Sequence, residues 1–101
     1  MIFVGKYKEL NPNHDFPSIR DFFESKPYDG QDRVASYLKN GIKDIVSFKT
    51  PKDVITGKPI PYGSIGMNDG EYTWFIDLAY YVEKYNLRLP EEFERKILEQ
   101  K

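Results

Sequence analysis

The chain has 101 residues, 40% of them hydrophobic and 16% aromatic, with a formal net charge of −1 at pH 7, which predicts a single compact domain over residues 1–101. The near-zero charge argues against binding of nucleic acid through its phosphates, and the absence of cysteine excludes disulfides, thiolate metal sites and a cysteine nucleophile. Because we find no signal peptide and no apolar span of about 18 residues, we expect a cytoplasmic protein without a membrane partner.

The first half of the chain predicts a strand followed by two helices. Residues 2–7 are compatible with a short opening strand. Residues 16–25 place a proline in a first helical turn and apolar residues at helical spacing behind it, so we expect a helix there. Residues 29–41 predict a second helix, with Asp29 as its cap and Gly41 as its stop.

The middle of the chain predicts the sheet. Residues 42–48 are rich in β-branched and aromatic residues and predict a strand, and residues 53–58 predict a second short extended piece that ends in a turn. The glycines and prolines of residues 57–66 predict a loop or an irregular edge strand. The turn residues Asn68, Asp69 and Gly70 then predict a hairpin between two extended flanks.

Two helices are predicted to close the chain. Residues 76–86 carry an apolar stripe at helical spacing, and residues 87–98 place Pro90 and two acids at a helix start, with bases near the helix end. We expect these helices and the hairpin to share one core, formed by Trp74, Leu78, Tyr81, Val82, Tyr85, Phe93 and Ile97. The predicted fold class is α+β, a small antiparallel sheet of about three strands packed with about four helices.

An acidic window overlaps this last third of the chain. From Asp69 to Glu83 there are four acidic residues and no lysine or arginine. Such a window indicates either an ordinary solvated surface or a docking field for a basic partner. Tyr80 lies opposite the apolar stripe of its helix, and tyrosine is enriched in binding hot spots. We therefore predict a partner-binding face formed by Asp69, Glu71, Asp77 and Tyr80.

No pattern in the sequence predicts catalysis. His14, the only histidine, lies beside Asp15 in a predicted turn, and no serine stands at a spacing that would make it a nucleophile. The glycine-rich residues 62–70 lack the phosphate-binding patterns, and no acidic calcium loop is present. We therefore predict a protein that is not an enzyme and has no catalytic residue, metal or cofactor.

The C-terminal third resembles a pattern in small bacterial proteins, which can be written DGxYxW, LxYYVxxY and LPxxF. The matching positions are Asp69, Gly70, Tyr72, Trp74, Leu78, Tyr80, Tyr81, Val82, Tyr85, Leu89, Pro90 and Phe93. Such proteins are similar to the immunity partners of polymorphic toxins, including those of contact-dependent growth inhibition systems. The resemblance implies a non-enzymatic inhibitor that binds a cognate toxin domain, with a nuclease expected, and occludes its active site.

Two other interpretations stay open. One is a small enzyme or ligand-binding domain with a pocket near residues 57–70, using polar groups of Tyr62, Asn68 and Asp69. The other is an adaptor or RNA-binding domain that uses aromatic rings as stacking platforms, which the lack of a basic patch disfavours. Gene order would distinguish them, because an immunity gene is expected directly after a toxin gene.

Overall fold

Helices and a four-stranded sheet share one hydrophobic core in the computed structural model, which describes residues 1–47, 50–62 and 64–99. The strands are β1 (Ile2–Phe3), β2 (Ile42–Ser47), β3 (Ser64–Asn68) and β4 (Tyr72–Phe75). The helices are α1 (Gln31–Lys39), α2 (Asp77–Tyr85) and α3 (Glu91–Glu99), preceded by a 3-10 turn at Ile19–Phe22. Phe48, at the end of the predicted strand 42–48, and Gly63, in the predicted loop, lie outside the described residues.

The predicted α+β class is confirmed, but the sheet is mixed. Its strand order is β1-β4-β3-β2. The β2–β3 and β3–β4 pairs are antiparallel, whereas β1 runs parallel to β4, with Ile2 opposite Tyr72 and Phe3 opposite Thr73. The expected antiparallel sheet of about three strands therefore gains a parallel strand from the chain start. Residues 64–66, predicted as a loop or an irregular edge strand, belong to β3, an interior strand of the sheet.

The predicted hairpin turn is confirmed between β3 and β4. Asn68 Oδ1 accepts the Gly70 N–H at 2.9 Å, and Asp69 Oδ1 accepts the N–H groups of Glu71 and Tyr72 at 2.9 and 2.6 Å. Gly70 has φ +93°, a conformation that glycine adopts without steric cost. The side chains of this turn thus close it upon its own backbone.

The helix predicted over residues 16–25 is only one 3-10 turn, so three α-helices replace the expected four in the described part of the chain. After this turn the backbone is extended and pairs with the segment behind α2. Phe23 forms a β-bridge with Leu87, and the Arg88 N–H donates to the Phe22 carbonyl at 2.8 Å. These long-range backbone bonds compete with the helical ones and end the helix early.

Glycines mark both ends of α1. Its N-cap is Gly30 at φ +82°, not the expected Asp29, and no side chain caps it. Gly41 follows α1 as predicted, and a Cβ there would lie 2.8 Å from Cζ2 of Trp74. A side chain at position 41 would therefore push the indole out of its place.

The predicted core is confirmed. Trp74, Leu78, Tyr81, Val82, Phe93 and Ile97 are buried, and Tyr85 is partly buried against them. The Trp74 ring lies within aromatic contact of Tyr37 from α1 and Phe93 from α3, and its Nε1–H donates to the Leu38 carbonyl at 3.0 Å. One indole therefore connects the sheet with two helices.

We expect Tyr81→Ala to lower the free energy of unfolding by about 3 kcal/mol or more, as truncation of a buried aromatic ring does. Tyr81 is fully buried, and its hydroxyl accepts the Val54 N–H at 3.1 Å. Tyr81→Phe keeps the ring and should cost only about 1 kcal/mol for the lost hydrogen bonds. Urea denaturation of both variants measures the difference, and equal losses would contradict the packing role of the ring.

Candidate functional site

Two predicted partner-binding residues, Asp69 and Glu71, lie at the hairpin turn and are bridged by a lysine from α3. Lys96 Nζ is 2.9 Å from Asp69 Oδ2 and 2.9 Å from Glu71 Oε1. Burial disfavours the charged form of Asp69, but hydrogen bonds from the Tyr37 hydroxyl, the Tyr72 N–H and Lys96 outweigh burial and lower its pKa to about 2. The Asp69 side chain is only 8% exposed, so it acts as the anchor of this turn.

The third predicted residue, Asp77, opens helix α2 just beyond the other end of β4. It is partly buried, and backbone N–H groups, its own and that of Leu78, lie near its carboxylate. Burial raises its pKa above the ordinary value of 3.8. Within the described ranges no salt bridge reaches Asp77, which sets it apart from the turn acids.

The fourth predicted residue, Tyr80, is partly buried by the loop of residues 50–60. Its hydroxyl donates to Asp53 Oδ2 at 2.7 Å and accepts from Lys84 Nζ at 3.0 Å. The Tyr85 hydroxyl donates to the same Asp53 oxygen at 2.6 Å. Tyr80 is therefore not a free side chain opposite the apolar stripe of its helix, because it fastens the loop to α2.

Asp53 itself is a buried carboxylate that the sequence did not single out. Burial disfavours its charge, but the hydroxyls of Tyr85 and Tyr80 and the N–H groups of Ile55 and Thr56 outweigh this and lower its pKa to about 2. The same N–H groups place its Oδ1 inside the turn that follows. This network holds the loop and leaves neither carboxylate oxygen without a donor.

The four predicted residues therefore do not lie on one face. Asp69 and Glu71 lie at one end of β4, Asp77 at the other end, and Tyr80 against the loop. Glu83, the remaining acid of the window, pairs with Lys39 of α1 at 2.8 Å. Lysines from α1 and α3 thus pair with most of the acidic residues in this window, which contains no lysine or arginine itself.

A different surface, the outer face of the sheet, is partly exposed in the described residues. Strand register places Phe3, Thr73 and Phe75 on the face opposite Trp74. Gly66 and Ile45 continue this face across β3 and β2. Phe75 is 46% exposed and Ile45 66% exposed. We call this set, together with Ile42 at 63% exposure, the outer face.

The outer face has the chemistry of a contact surface. The Phe3 and Phe75 rings meet edge to face at 6.2 Å, and neither belongs to the hydrophobic core. Exposed apolar groups that adjoin one another mark interaction sites more often than isolated ones do. The signal in the sequence was the alternation around Trp74, since an inward Trp74 requires an outward Phe75.

The residues of the alternative pocket do not converge. The Tyr62 hydroxyl donates to Glu83, the Asn68 amide donates to Asp44, and Asp69 is held by Tyr37 and Lys96. Ser64 is the member of residues 57–70 that lines the cavity beside Asp77. The polar groups on which that interpretation depends are therefore divided among four partners: Glu83, Asp44, Tyr37 and Lys96.

Other catalytic candidates are few. His14 is exposed in a turn and stacks on Phe16 with ring centroids 5.1 Å apart. In residues 1–47, 50–62 and 64–99 no group of three histidine or acidic residues is placed to hold a metal ion, and no helix there is long and apolar enough to cross a membrane. Comparisons with protein-family models, curated proteins and solved structures find no match.

We expect Asp77→Asn to raise the free energy of unfolding at pH 7. The raised pKa of Asp77 means that ionisation is less favourable in the folded state, so the folded protein loses stability as pH rises through that pKa. Below the ordinary value of 3.8 the carboxyl is protonated in both states, and the difference from wild type should vanish. Denaturation at pH 7 and pH 3 measures this, and a destabilised variant at pH 7 would contradict it.

Asp53→Asn is a control for which the opposite pH dependence of stability is expected. The lowered pKa of Asp53, about 2, contributes stability that is present above pH 3.8 and is lost as pH falls toward 2. We expect this variant to lose about 2 kcal/mol at pH 7, because hydrogen bonds to a charged group are removed. Its deficit should shrink on acidification toward pH 2, and a deficit independent of pH would contradict the assignment.

Proposed function

We propose that this protein is an immunity protein that binds a cognate bacterial toxin domain in the cytoplasm and occludes its active site without catalysing a reaction. We expect that toxin domain to be a nuclease. The observation that carries the proposal is the exposed outer face, where Phe75, Ile45 and Ile42 are each about half or more exposed. Together with the pattern in the C-terminal third, this surface favours a protein-binding module over a site for a small molecule.

The outer face has two properties that suit a protein partner. Aromatic rings such as those of Phe3 and Phe75 bury large areas at low cost in side-chain entropy. Asp77 adds, at the edge of this surface, a carboxylate that no cation of the described residues pairs with. A nuclease presents a basic cleft to its substrate, so an acidic group beside an apolar patch would be complementary to it.

The state of the internal polar groups supports a role without catalysis. Asp53, Asp69 and Glu94 are each held by hydroxyl, amine or guanidinium donors. Burial raises the pKa of Tyr81 to about 12. A general base instead needs a free, suitably placed group whose pKa lies near the working pH. These side chains serve to fasten the fold.

The first test is genetic and cellular. We expect the gene to follow a toxin gene directly, and co-expression should protect cells from that toxin domain. His14→Ala should protect as well as wild type, because His14 lies exposed in a turn. Colony counts after toxin induction measure protection, and failure of the folded wild-type protein to protect would overturn the proposal.

We expect Phe75→Ser combined with Ile45→Ser to weaken binding of the adjacent toxin domain by about 2 kcal/mol, roughly thirty-fold in Kd. Phe75 is 46% exposed and Ile45 66% exposed, and neither belongs to the hydrophobic core, so folding should persist. Phe22→Ser is the matched control, since Phe22 is 37% exposed but lies outside the outer face. Surface plasmon resonance gives the affinities, and equal weakening by both variants would contradict a specific outer face.

The hairpin turn and α2 provide the competing surface, with the predicted residues Asp69, Glu71 and Tyr80. If they form the interface, Glu71→Gln should slow association mainly, with a larger effect at low salt. Tyr80→Ala should speed dissociation, with a loss of binding free energy of about 1–2 kcal/mol. Tyr80→Phe keeps the ring and tests the hydroxyl alone. Normal rates in these variants, with weak binding in the outer-face variant, would place the toxin on the outer face.

A further inference from the structure

A cavity of about 150 Å³ opens where the outer face meets the start of α2. Its walls are mixed, and they include the two aromatic rings of the outer face. Phe3, Leu10 and Phe75 supply apolar groups, and Asn11, Ser64 and Asp77 supply polar ones. The cavity is therefore continuous with the surface proposed to meet the toxin.

Asp77 is the exceptional carboxylate of this cavity. Five acidic residues in the described part of the chain are partly or fully buried: Glu9, Asp53, Asp69, Asp77 and Glu94. Ser18, the tyrosines on Asp53, Lys96 and Arg88 supply side-chain donors to the other four. Among the described residues, by contrast, no salt bridge reaches Asp77, whose neighbours include its own backbone N–H and that of Leu78. A carboxylate in a partly apolar cavity costs stability unless a cation pairs with it.

The size and lining of the cavity indicate what that cation is. A cavity of about 150 Å³ is the size of an engineered apolar cavity that binds benzene, so it has room for about five or six non-hydrogen atoms. A lysine side chain from Cβ to Nζ has that size, and its methylenes suit apolar walls while its ammonium pairs with a carboxylate. An arginine side chain is larger, and its planar guanidinium prefers a carboxylate that it contacts through two hydrogen bonds.

We propose that this cavity receives a lysine side chain of the toxin domain, with its ammonium on the Asp77 carboxylate and its methylenes between Phe3 and Phe75. This inference rests on the proposed function and names the chemistry of one anchor in that interface. It also gives a reason for a carboxylate that no salt bridge of the described residues reaches.

The first experiment uses a small probe and needs no toxin. We expect n-butylammonium to bind the wild-type protein with a Kd on the order of 10 mM, as suits so small a ligand. Amide NMR shifts of Gly5 and Leu78, which line the cavity, report binding. The neutral 1-butanol, and n-butylammonium with Asp77→Asn, should bind at least about tenfold more weakly. Equal binding of both probes, or no shift at about 100 mM, would overturn the proposal.

The second experiment measures the toxin interface. Asp77→Asn should weaken toxin binding at least about tenfold, because it leaves the lysine buried without its partner. Glu92→Gln is the matched control, an exposed acid on α3 that removes the same charge away from the cavity. Substitution of the contacting toxin lysine by methionine should have no added effect in Asp77→Asn.

The outcomes separate the two proposals. If the toxin binds wild type and Asp77→Asn equally, the lysine anchor is wrong while the immunity function stands. If n-butylammonium binds as expected but the folded protein neither binds nor neutralises the toxin, the immunity function is wrong and the lysine donor cannot be that toxin. If arginine analogues such as n-propylguanidinium bind more tightly than n-butylammonium, the choice of lysine is overturned.

Discussion

The indole of Trp74 connects the sheet with helices α1 and α3, and its position decides which face of the sheet is free. Its nitrogen donates to the Leu38 carbonyl, and its ring contacts Tyr37 and Phe93. Since side chains alternate along a strand, an inward Trp74 turns Phe75 outward. Gly41 preserves this arrangement, because a Cβ there would collide with the indole. The outer face is thus a consequence of how the core is built.

Charge is distributed by the same tertiary contacts. Lys96 from α3 joins Asp69 to Glu71, and Lys39 from α1 pairs with Glu83. These ion pairs fasten the hairpin and α2 to the other helices, although pairs exposed to solvent contribute little stability. Asp77 differs because it lies beside the outer face, and no salt bridge of the described residues reaches it. The described lysines therefore pair with the acids near the helices, whereas the Asp77 carboxylate lies beside the exposed face of the sheet.

A binding role would account for both the exposed outer face and the carboxylate of Asp77. An open apolar face costs solubility, and a carboxylate without a cation costs stability, so each is a feature that a partner would relieve. Stability is commonly lowered at functional sites for this reason. The outer face and Asp77 meet at one cavity. One partner that contacts both is therefore a simpler explanation than two unrelated defects of the fold.

Local patterns determined much of the fold from the sequence. The hairpin turn at Asn68–Gly70, helices α2 and α3 and the inward Trp74, Tyr81 and Phe93 all follow from spacing and turn chemistry, which act over a few residues. The choice of Asp77 as a binding residue also came from the sequence, but on the basis of charge alone. Its local pattern places it at the start of a predicted helix but does not show that it lies beside a cavity.

Only the tertiary structure decided what depends on residues far apart in the chain. The parallel pairing of β1 with β4 and the extended segment that ends the 3-10 turn both join opposite ends of the chain. Lys96 finds Asp69, and Asp53 finds Tyr80 and Tyr85, only once the helices have packed. The exposure of Ile45 follows from the edge position of β2. Composition and periodicity carry no record of such distant pairings, because they describe neighbours in sequence and not in space.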